Sequence, residues 1–161
     1  MRDAYSAPQL TALVALRFTI GWHFFYDGVS KAVNQYWTAA GYLDQSQGPF
    51  SDLFIALASS PALLGAVDFL NVWGLVLVGL GLMLGALTRT ATLCALLMLL
   101  LYYLAMPPWP GLVYSMPAEG SYLIVNKNLI ELCALAVLLL FPTGHLIGLD
   151  RLLPARTETQ S

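Results

Sequence analysis

Hydrophobic residues gather into four long stretches along the chain, separated by segments that hold the prolines and most of the charged residues. Each stretch approaches the roughly 17–25 residues that a helix needs to cross a bilayer. The pattern predicts an all-α integral membrane protein, a four-transmembrane-helix bundle that forms a single domain over residues 1–161. The predicted helices cover approximately residues 10–30, 69–87, 90–106 and 122–141, and a polar tail follows at 154–161.

The connection between the first two predicted helices, Gln35 to Pro61, is too long for a simple turn. After the Gly48-Pro49 breaker it contains several large apolar side chains between Phe50 and Leu57. Such a run is typical of a helix that lies in the interface or re-enters the membrane. We therefore expect one short additional helix in this outer loop.

The composition favours a membrane protein over other classes. Hydrophobic residues make up 58% of the chain and charged residues 10%, whereas an average soluble domain has about 25% charged residues. A formal net charge of −2 and the lack of a basic run in the sequence argue against a nucleic-acid partner.

The cysteines and histidines do not predict a metal site. Cys94 and Cys133 fall inside apolar helices without ligand spacing, so we expect both to be buried packing residues. The two histidines, His23 and His145, are predicted to lie toward opposite faces of the membrane. An intrinsic haem, iron–sulfur cluster or zinc ion is therefore not expected.

Arginine placement predicts the orientation of the bundle. The segments outside the predicted helices place arginines on one side only, and positive charge collects on the cytoplasmic side of a membrane. Both termini are thus predicted to be cytoplasmic, in the inner (cytoplasmic) membrane of a prokaryote, with the long loops facing outward. The first stretch is too long for a signal-peptide core and should remain in the mature protein. The arginines concerned are Arg2, Arg89, Arg151 and Arg156.

Ionisable side chains inside the predicted helices give the main functional lead. His23, Asp27 and Lys31 recur every four residues in the first helix. An ionised group in hydrocarbon costs ~3 kcal/mol or more unless it is paired or faces water. On the fourth helix, Lys127 and Glu131 share a face. Counting residues from the outer helix ends predicts that Asp27 faces Lys127 and that His23 faces Glu131.

Structural alternatives remain open for several of these residues. Asp68 is equally well explained as a helix N-cap, and Arg17 as a side chain that snorkels to the cytoplasmic surface. Tyr102 is also typical of an aromatic belt, and Lys31 of a helix end at the interface. Asp27 and Glu131 are also consistent with a structural ion-pair lock.

Several motifs resemble those of one membrane protein family. The stretch from Leu16 to Lys31, with an early arginine, a mid-helix glycine and Asp27-Gly28, resembles the opening helix of DoxX-type proteins. The run from Tyr122 to Glu131 resembles their fourth-helix signature, and Gly79 to Arg89 their second helix and its turn. The Gly48-Pro49-Phe50 and Pro107-Pro108 loops resemble those of the DoxD branch. The resemblance covers nearly the whole chain.

The resemblance implies a function. It implies a four-helix membrane bundle that oxidises thiosulfate to tetrathionate and passes the electrons to a membrane quinone, without a covalently bound cofactor. A second membrane or periplasmic subunit and a homo-oligomer both remain open. A non-catalytic scaffold or partner subunit of a redox complex is the alternative. A transporter is disfavoured, because the inner half of helices two to four is almost purely aliphatic.

The predicted site residues follow from the chemistry of these ligands. A dianionic sulfur compound needs cations in a shielded pocket, and a quinone needs proton donors near its carbonyl oxygens. We therefore predict catalytic roles for His23, Asp27 and Glu131. The predicted substrate-binding residues are Arg17, Lys31, Tyr102, Lys127 and Asn128.

Overall fold

The computed structural model describes residues 5–115 and 122–152. Within these residues the chain is helical and contains no strand, which confirms the predicted all-α class. Four long helices are joined by loops, and two short helices lie in the first loop. The α-helices are α1 (Ala7–Val33), α2 (Ala40–Asp44), α3 (Ser51–Ser59), α4 (Pro61–Leu84), α5 (Thr88–Ala105) and α6 (Lys127–Leu140), and a 3₁₀ turn follows at Leu149–Leu152.

The first loop contains the predicted short helix, which is α3, and also α2. α3 begins directly after Gly48-Pro49-Phe50, where the proline breaks the preceding backbone. The structure thus confirms a helix after the breaker and adds a second one before it.

Two helix starts differ from the predicted ones. α4 begins at Pro61, because proline fits the first turn of a helix, where its missing N–H is not needed. Asp68 therefore lies within α4 and is not its N-cap; its Oδ1 accepts the backbone N–H of Ala39 at 2.7 Å. α6 begins at Lys127, and its N-cap Asn126 accepts the N–H of Leu129 at 3.1 Å.

The four long helices surround one apolar core. α1 packs along α4, α4 and α6 each pack on α5, and α6 also touches α1. Buried side chains from all four helices meet in the centre, among them Phe24, Leu75, Leu99 and Leu135. The helices therefore form a closed bundle in the order α1, α4, α5, α6.

Glycines bring α1 and α4 into backbone contact. A Cβ at Gly79 would lie 2.4 Å from the backbone N of Phe25, and one at Gly21 would lie 2.9 Å from the carbonyl oxygen of Gly79. Gly85 ends α4 in the left-handed conformation, with φ of 64°, which is a common helix stop.

The outward faces of the bundle are apolar. α4 and α5 are long and apolar enough to cross a membrane, with mean hydropathies of 2.0 and 1.5. Only 22% and 33% of their most apolar windows are buried, whereas the core helix of a soluble protein would be mostly covered. This combination is the membrane signal in the structure.

The two cysteines correct a prediction. Cys94 and Cys133 were expected to be buried, but both are exposed on the outward faces of α5 and α6. A helix that is apolar on all sides offers no contrast between a face toward protein and a face toward lipid. The hydrophobic pattern could therefore not assign their side.

Candidate functional site

A cavity of about 680 Å³ lies in one half of the bundle. Its walls come from the C-terminal half of α1, the N-terminal half of α4, the C-terminal end of α5 and the start of α6, with α2 and α3 closing one side. Antiparallel packing brings these helix halves to the same level. The buried part of the wall is apolar and includes Phe24, Leu43, Phe54, Leu75, Leu99 and Ala105.

Lys31 is the best-anchored polar group of the cavity wall. Its Nζ lies 2.9 Å from Asp27 Oδ2, one helical turn away, and donates to Asn71 Oδ1 at 3.2 Å. The same ammonium lies 5.1 Å from the ring centre of Trp37 and 5.7 Å from that of Tyr102. Rings at this distance attract a cation through their negative faces. Lys31 is thus held in one position from several sides.

Two tyrosines and Asn71 extend this group. Asn71 Nδ2 donates to the hydroxyl of Tyr102 at 2.6 Å, and the hydroxyl of Tyr42 donates to the carbonyl oxygen of Tyr102 at 2.9 Å. The two tyrosine rings pack edge to face, with centres 6.1 Å apart. Burial raises the pKa of Tyr42 well above its usual value, so its phenol stays protonated and keeps donating.

His23 and Glu131 meet as the sequence predicted. His23 Nδ1 lies 2.9 Å from Glu131 Oε1, between α1 and α6. The contact is short, but Nδ1 has no hydrogen-bond partner within the described residues. Glu131 Oε2 is buried and has no hydrogen-bond partner within residues 5–115 and 122–152. One carboxylate oxygen is therefore available to accept a proton or a hydrogen bond.

Asp27 and Lys127 were predicted to face each other, and both line the cavity. The ion pair that the structure shows for Asp27 is with Lys31 on its own helix. Lys127 and Asn128 both line the cavity from the start of α6. The depth estimate for Lys127 assumed a helix from Tyr122, whereas Tyr122 and Val125 exchange backbone hydrogen bonds in a tight turn.

Arg17 lies outside the cavity. It is buried near the other end of the bundle, where it donates to Thr143 Oγ1 at 3.0 Å and to the carbonyl oxygen of Ile147 at 2.7 Å. It therefore neither contacts the cavity, as a predicted anion ligand would, nor extends to the surface. It ties α1 to the segment that follows α6.

Asp150 forms a second polar contact at that end. Its carboxylate accepts the N–H of Leu87 at 2.6 Å, and the N–H and hydroxyl of Thr88 at 2.9 and 2.5 Å. Burial acts to raise the pKa of Asp150, but the bonds from Thr88 and Leu87 and the positive charge of Arg17 together hold it below its usual value. The segment after α6 is thus fixed to the start of α5.

Asn71, Trp37 and Tyr42 line the cavity but were not among the predicted site residues. Asn71 has a sequence signal, because an amide inside an apolar helix is unusual in the same way as a charge. Trp37 and Tyr42 lie in the first loop, where the sequence has no periodic pattern that would aim them at the cavity. Only the folding of α2 over the bundle brings them there.

The donor set does not resemble a metal centre. Within the described residues, no group of three or more histidine, cysteine, aspartate or glutamate side chains is close enough to share an ion. The cavity instead combines apolar walls with hydrogen-bond donors and one histidine–carboxylate contact. Such a pocket is typical of binding sites for small, largely apolar molecules with a few polar atoms.

Comparison with known proteins gives no match to a family model, a curated protein or a solved structure. The class rests on the fold and the site. The part of the chain that the structure describes is all-helical, with two helices apolar enough to span a membrane and a mixed apolar and polar cavity.

Proposed function

We propose that this protein is a four-span protein of the cytoplasmic membrane, of the DoxX/DoxD type, that binds a quinone in its cavity. It reduces the quinone with electrons from thiosulfate, either alone or as the membrane subunit of a thiosulfate:quinone oxidoreductase. The observation that carries this proposal is the cavity, because its apolar walls enclose one cluster of hydrogen-bond donors beside a histidine–carboxylate contact.

The pairing of charged residues supports α1 as a further span beside α4 and α5. α4 and α5 are strongly apolar and carry charge only near their starts, at Asp68 and Arg89, whereas α1 carries Arg17, Asp27 and Lys31 along its length. Each of these groups has a protein partner, which removes most of the cost of a charge within a membrane. The close packing of α1 on α4 then supports the insertion of both helices together.

The ends of the helices support cytoplasmic termini. Arg89 starts α5, and Arg151 follows Asp150, which binds Thr88. The rings of Tyr5 and Phe141 pack edge to face with their centres 6.4 Å apart, so the start of α1 lies near the end of α6. These groups all lie at the end opposite the cavity. Under the positive-inside rule this end would face the cytoplasm, and the cavity would face the outer side.

The proposed reaction balances without a protein-bound cofactor. Two thiosulfate ions join through a new S–S bond to give tetrathionate and release two electrons. The quinone takes up these electrons and two protons to give quinol. His23 and Glu131 would supply protons at the cavity wall, while Lys31 and Tyr102 would donate hydrogen bonds to the quinone oxygens.

The test is thiosulfate-dependent quinone reduction by the purified protein under anaerobic conditions, followed by quinone absorbance. His23→Phe and Glu131→Gln should abolish the rate. The matched controls are His145→Phe and Asp52→Asn, because both residues are exposed and lie outside the cavity. Full activity of His23→Phe and Glu131→Gln would rule out the proposed proton donors, and a rate no higher than the protein-free control would rule out the reaction.

A membrane scaffold is the second candidate, and the pairing of the polar groups favours it. His23 meets Glu131 across α1 and α6, and Lys31 meets Asn71 across α1 and α4, so these contacts could serve only to set helix register. In that case His23→Phe would lower thermal stability in a protein that binds no quinone. Quinone binding by the wild-type protein separates the two candidates.

A further inference from the structure

Within residues 5–115 and 122–152, one N–H of Lys31 and the O–H of Tyr102 remain available to a ligand. The Lys31 ammonium has three N–H groups, and its contacts with Asp27 and Asn71 use two of them. The Tyr102 hydroxyl accepts the amide N–H of Asn71, which leaves its own O–H for another acceptor. Because Asn71 bonds to both side chains, it fixes the spacing of the two donors. Two fixed donors suit a ligand with carbonyl oxygens.

The charges around the cavity balance. Lys31 and Lys127 line it, Asp27 is in contact with Lys31, and Glu131 lies directly behind His23. A dianion would have to compete with Asp27 for Lys31, and it would come close to two carboxylates. A neutral carbonyl oxygen needs only the remaining donors. The site therefore favours a neutral ligand over thiosulfate.

One edge of the cavity is open and apolar. Phe50 and Leu53 near the start of α3 and Leu101 on α5 all line the cavity, yet they are 53%, 58% and 44% exposed. A side chain that both lines a cavity and is half exposed lies at its mouth. The side chains of His23 and Asp27 are 37% and 39% exposed and mark a separate polar edge. The cavity thus has a polar side and an apolar exit.

From this arrangement we propose that the cavity binds a neutral, carbonyl-bearing ring whose apolar tail leaves across Phe50, Leu53 and Leu101. Lys31 and Tyr102 donate to the ring oxygens. Thiosulfate does not occupy this cavity. This inference rests on the proposed quinone binding and adds the orientation of the quinone and the exclusion of the anion.

The first test measures binding of three benzoquinones that share a ring but carry no tail, two isoprene units or a decyl chain. The purified protein should bind the tailed forms more tightly than the tailless one. Leu53→Trp should weaken binding of the tailed forms only. Leu63→Trp is the matched control, because Leu63 is similarly exposed but lies outside the cavity. Equal changes in affinity in Leu53→Trp and Leu63→Trp, or an affinity that does not depend on the tail, would overturn the proposed exit.

The second test concerns the donors. Tyr102→Phe should weaken binding by up to about tenfold, since one neutral hydrogen bond contributes about 0.5–1.5 kcal/mol. Lys31→Met should weaken it by about tenfold or more, since a bond from a charged donor contributes about 1.5–3 kcal/mol. The double variant Asp27→Asn/Lys31→Met removes the Lys31 donor without leaving Asp27 as an unpaired charge. It therefore separates loss of the donor from loss of folding, and thermal melting checks that the variant is folded. Unchanged affinity in Tyr102→Phe and in the double variant would overturn the donor assignment.

The third test uses thiosulfate itself as a competitor. Millimolar thiosulfate should leave quinone affinity unchanged, and displacement of the quinone would overturn the exclusion of the anion. Tail-dependent quinone binding without thiosulfate-dependent reduction would refute the proposed reaction but uphold this inference. Absence of quinone binding would refute both.

Discussion

At the scale of single residues, Lys31 shows how a charge can be held inside an apolar helix bundle. Its ammonium meets a carboxylate one turn away, an amide on α4 and two aromatic rings. Each contact offsets part of the cost of removing the charge from water. Because most of these partners come from other elements, Lys31 also fixes how α1 is rotated against α4 and α5.

The Asp27–Lys31 contact predicts energetic coupling. Asp27→Asn and Lys31→Met should each lower the free energy of unfolding, because each leaves the other group without its charged partner. The double variant should lower the free energy of unfolding by less than the sum of the two single variants, with a coupling energy of about 0.5–3 kcal/mol. The same cycle with Lys127→Met in place of Lys31→Met should give a smaller coupling. Denaturant unfolding in detergent measures both, and a larger coupling for Lys127 would contradict the pairing.

Asp150 predicts an acid-sensitive contact. Because its pKa in the folded protein lies below the unfolded value of about 3.9, its stabilising contribution is complete above that value. The contribution is lost as the pH falls through the lower, folded pKa. Asp150→Asn should therefore reduce thermal stability at neutral pH and show a smaller loss on acidification than the wild type. Asp44→Asn, at an exposed position, should follow the wild-type pH profile.

At the scale of the helices, the contact between α1 and α4 depends on missing side chains. A Cβ at Gly79 would meet backbone atoms of α1, which cannot move without shifting the helix. Small residues at such crossings let helices pack closely through their backbones, which is one source of attraction between helices in lipid. The crossing sets the width of the bundle just below the cavity floor at Phe24.

Substituting the glycines of α4 should give opposite results. Gly79→Ala should destabilise the protein and disturb the cavity, because the added methyl group would overlap Phe25 and Gly21. Gly65, in the same helix, faces open space. Gly65→Ala should leave the free energy of unfolding unchanged or raise it by up to about 1 kcal/mol, because alanine lowers the entropy of the unfolded chain. Thermal unfolding compares the two, and equal losses would contradict the close crossing.

At the scale of the whole molecule, the two ends of the bundle differ in character. One end holds the cavity and the short helices of the first loop, and the other holds the contacts of Arg17 and Asp150. The second end is closed by direct bonds between the last segment, α1 and the start of α5. This division suits a protein that exchanges a ligand at one end and stays rigid at the other.

The proposed orientation is testable by thiol labelling. In a background without Cys94 and Cys133, cysteines at Asp44 and Ser115 should react with an impermeant reagent in spheroplasts. Both positions are exposed at the cavity end, whereas Ser46 nearby is buried and donates to Ala105. A cysteine at Arg151 should react only after the membrane is opened. The reverse pattern would invert the topology.

The sequence by itself determined the helical class and the approximate helix positions. α5 runs from Thr88 to Ala105 where residues 90–106 were predicted, because a turn with Gly85 precedes the apolar run and prolines follow it. The contact of His23 with Glu131 was also predictable, since two ionisable groups inside apolar helices have to be matched at one depth.

Only the tertiary structure decided which way each helix faces. It placed Arg17 away from the cavity and exposed both cysteines. The physical reason is that the core and lipid are both apolar, so the hydrophobic pattern of these helices cannot tell an inward face from an outward one. Their rotation depends on glycine contacts and polar pairs between segments far apart in sequence, which become visible only when the chain is folded.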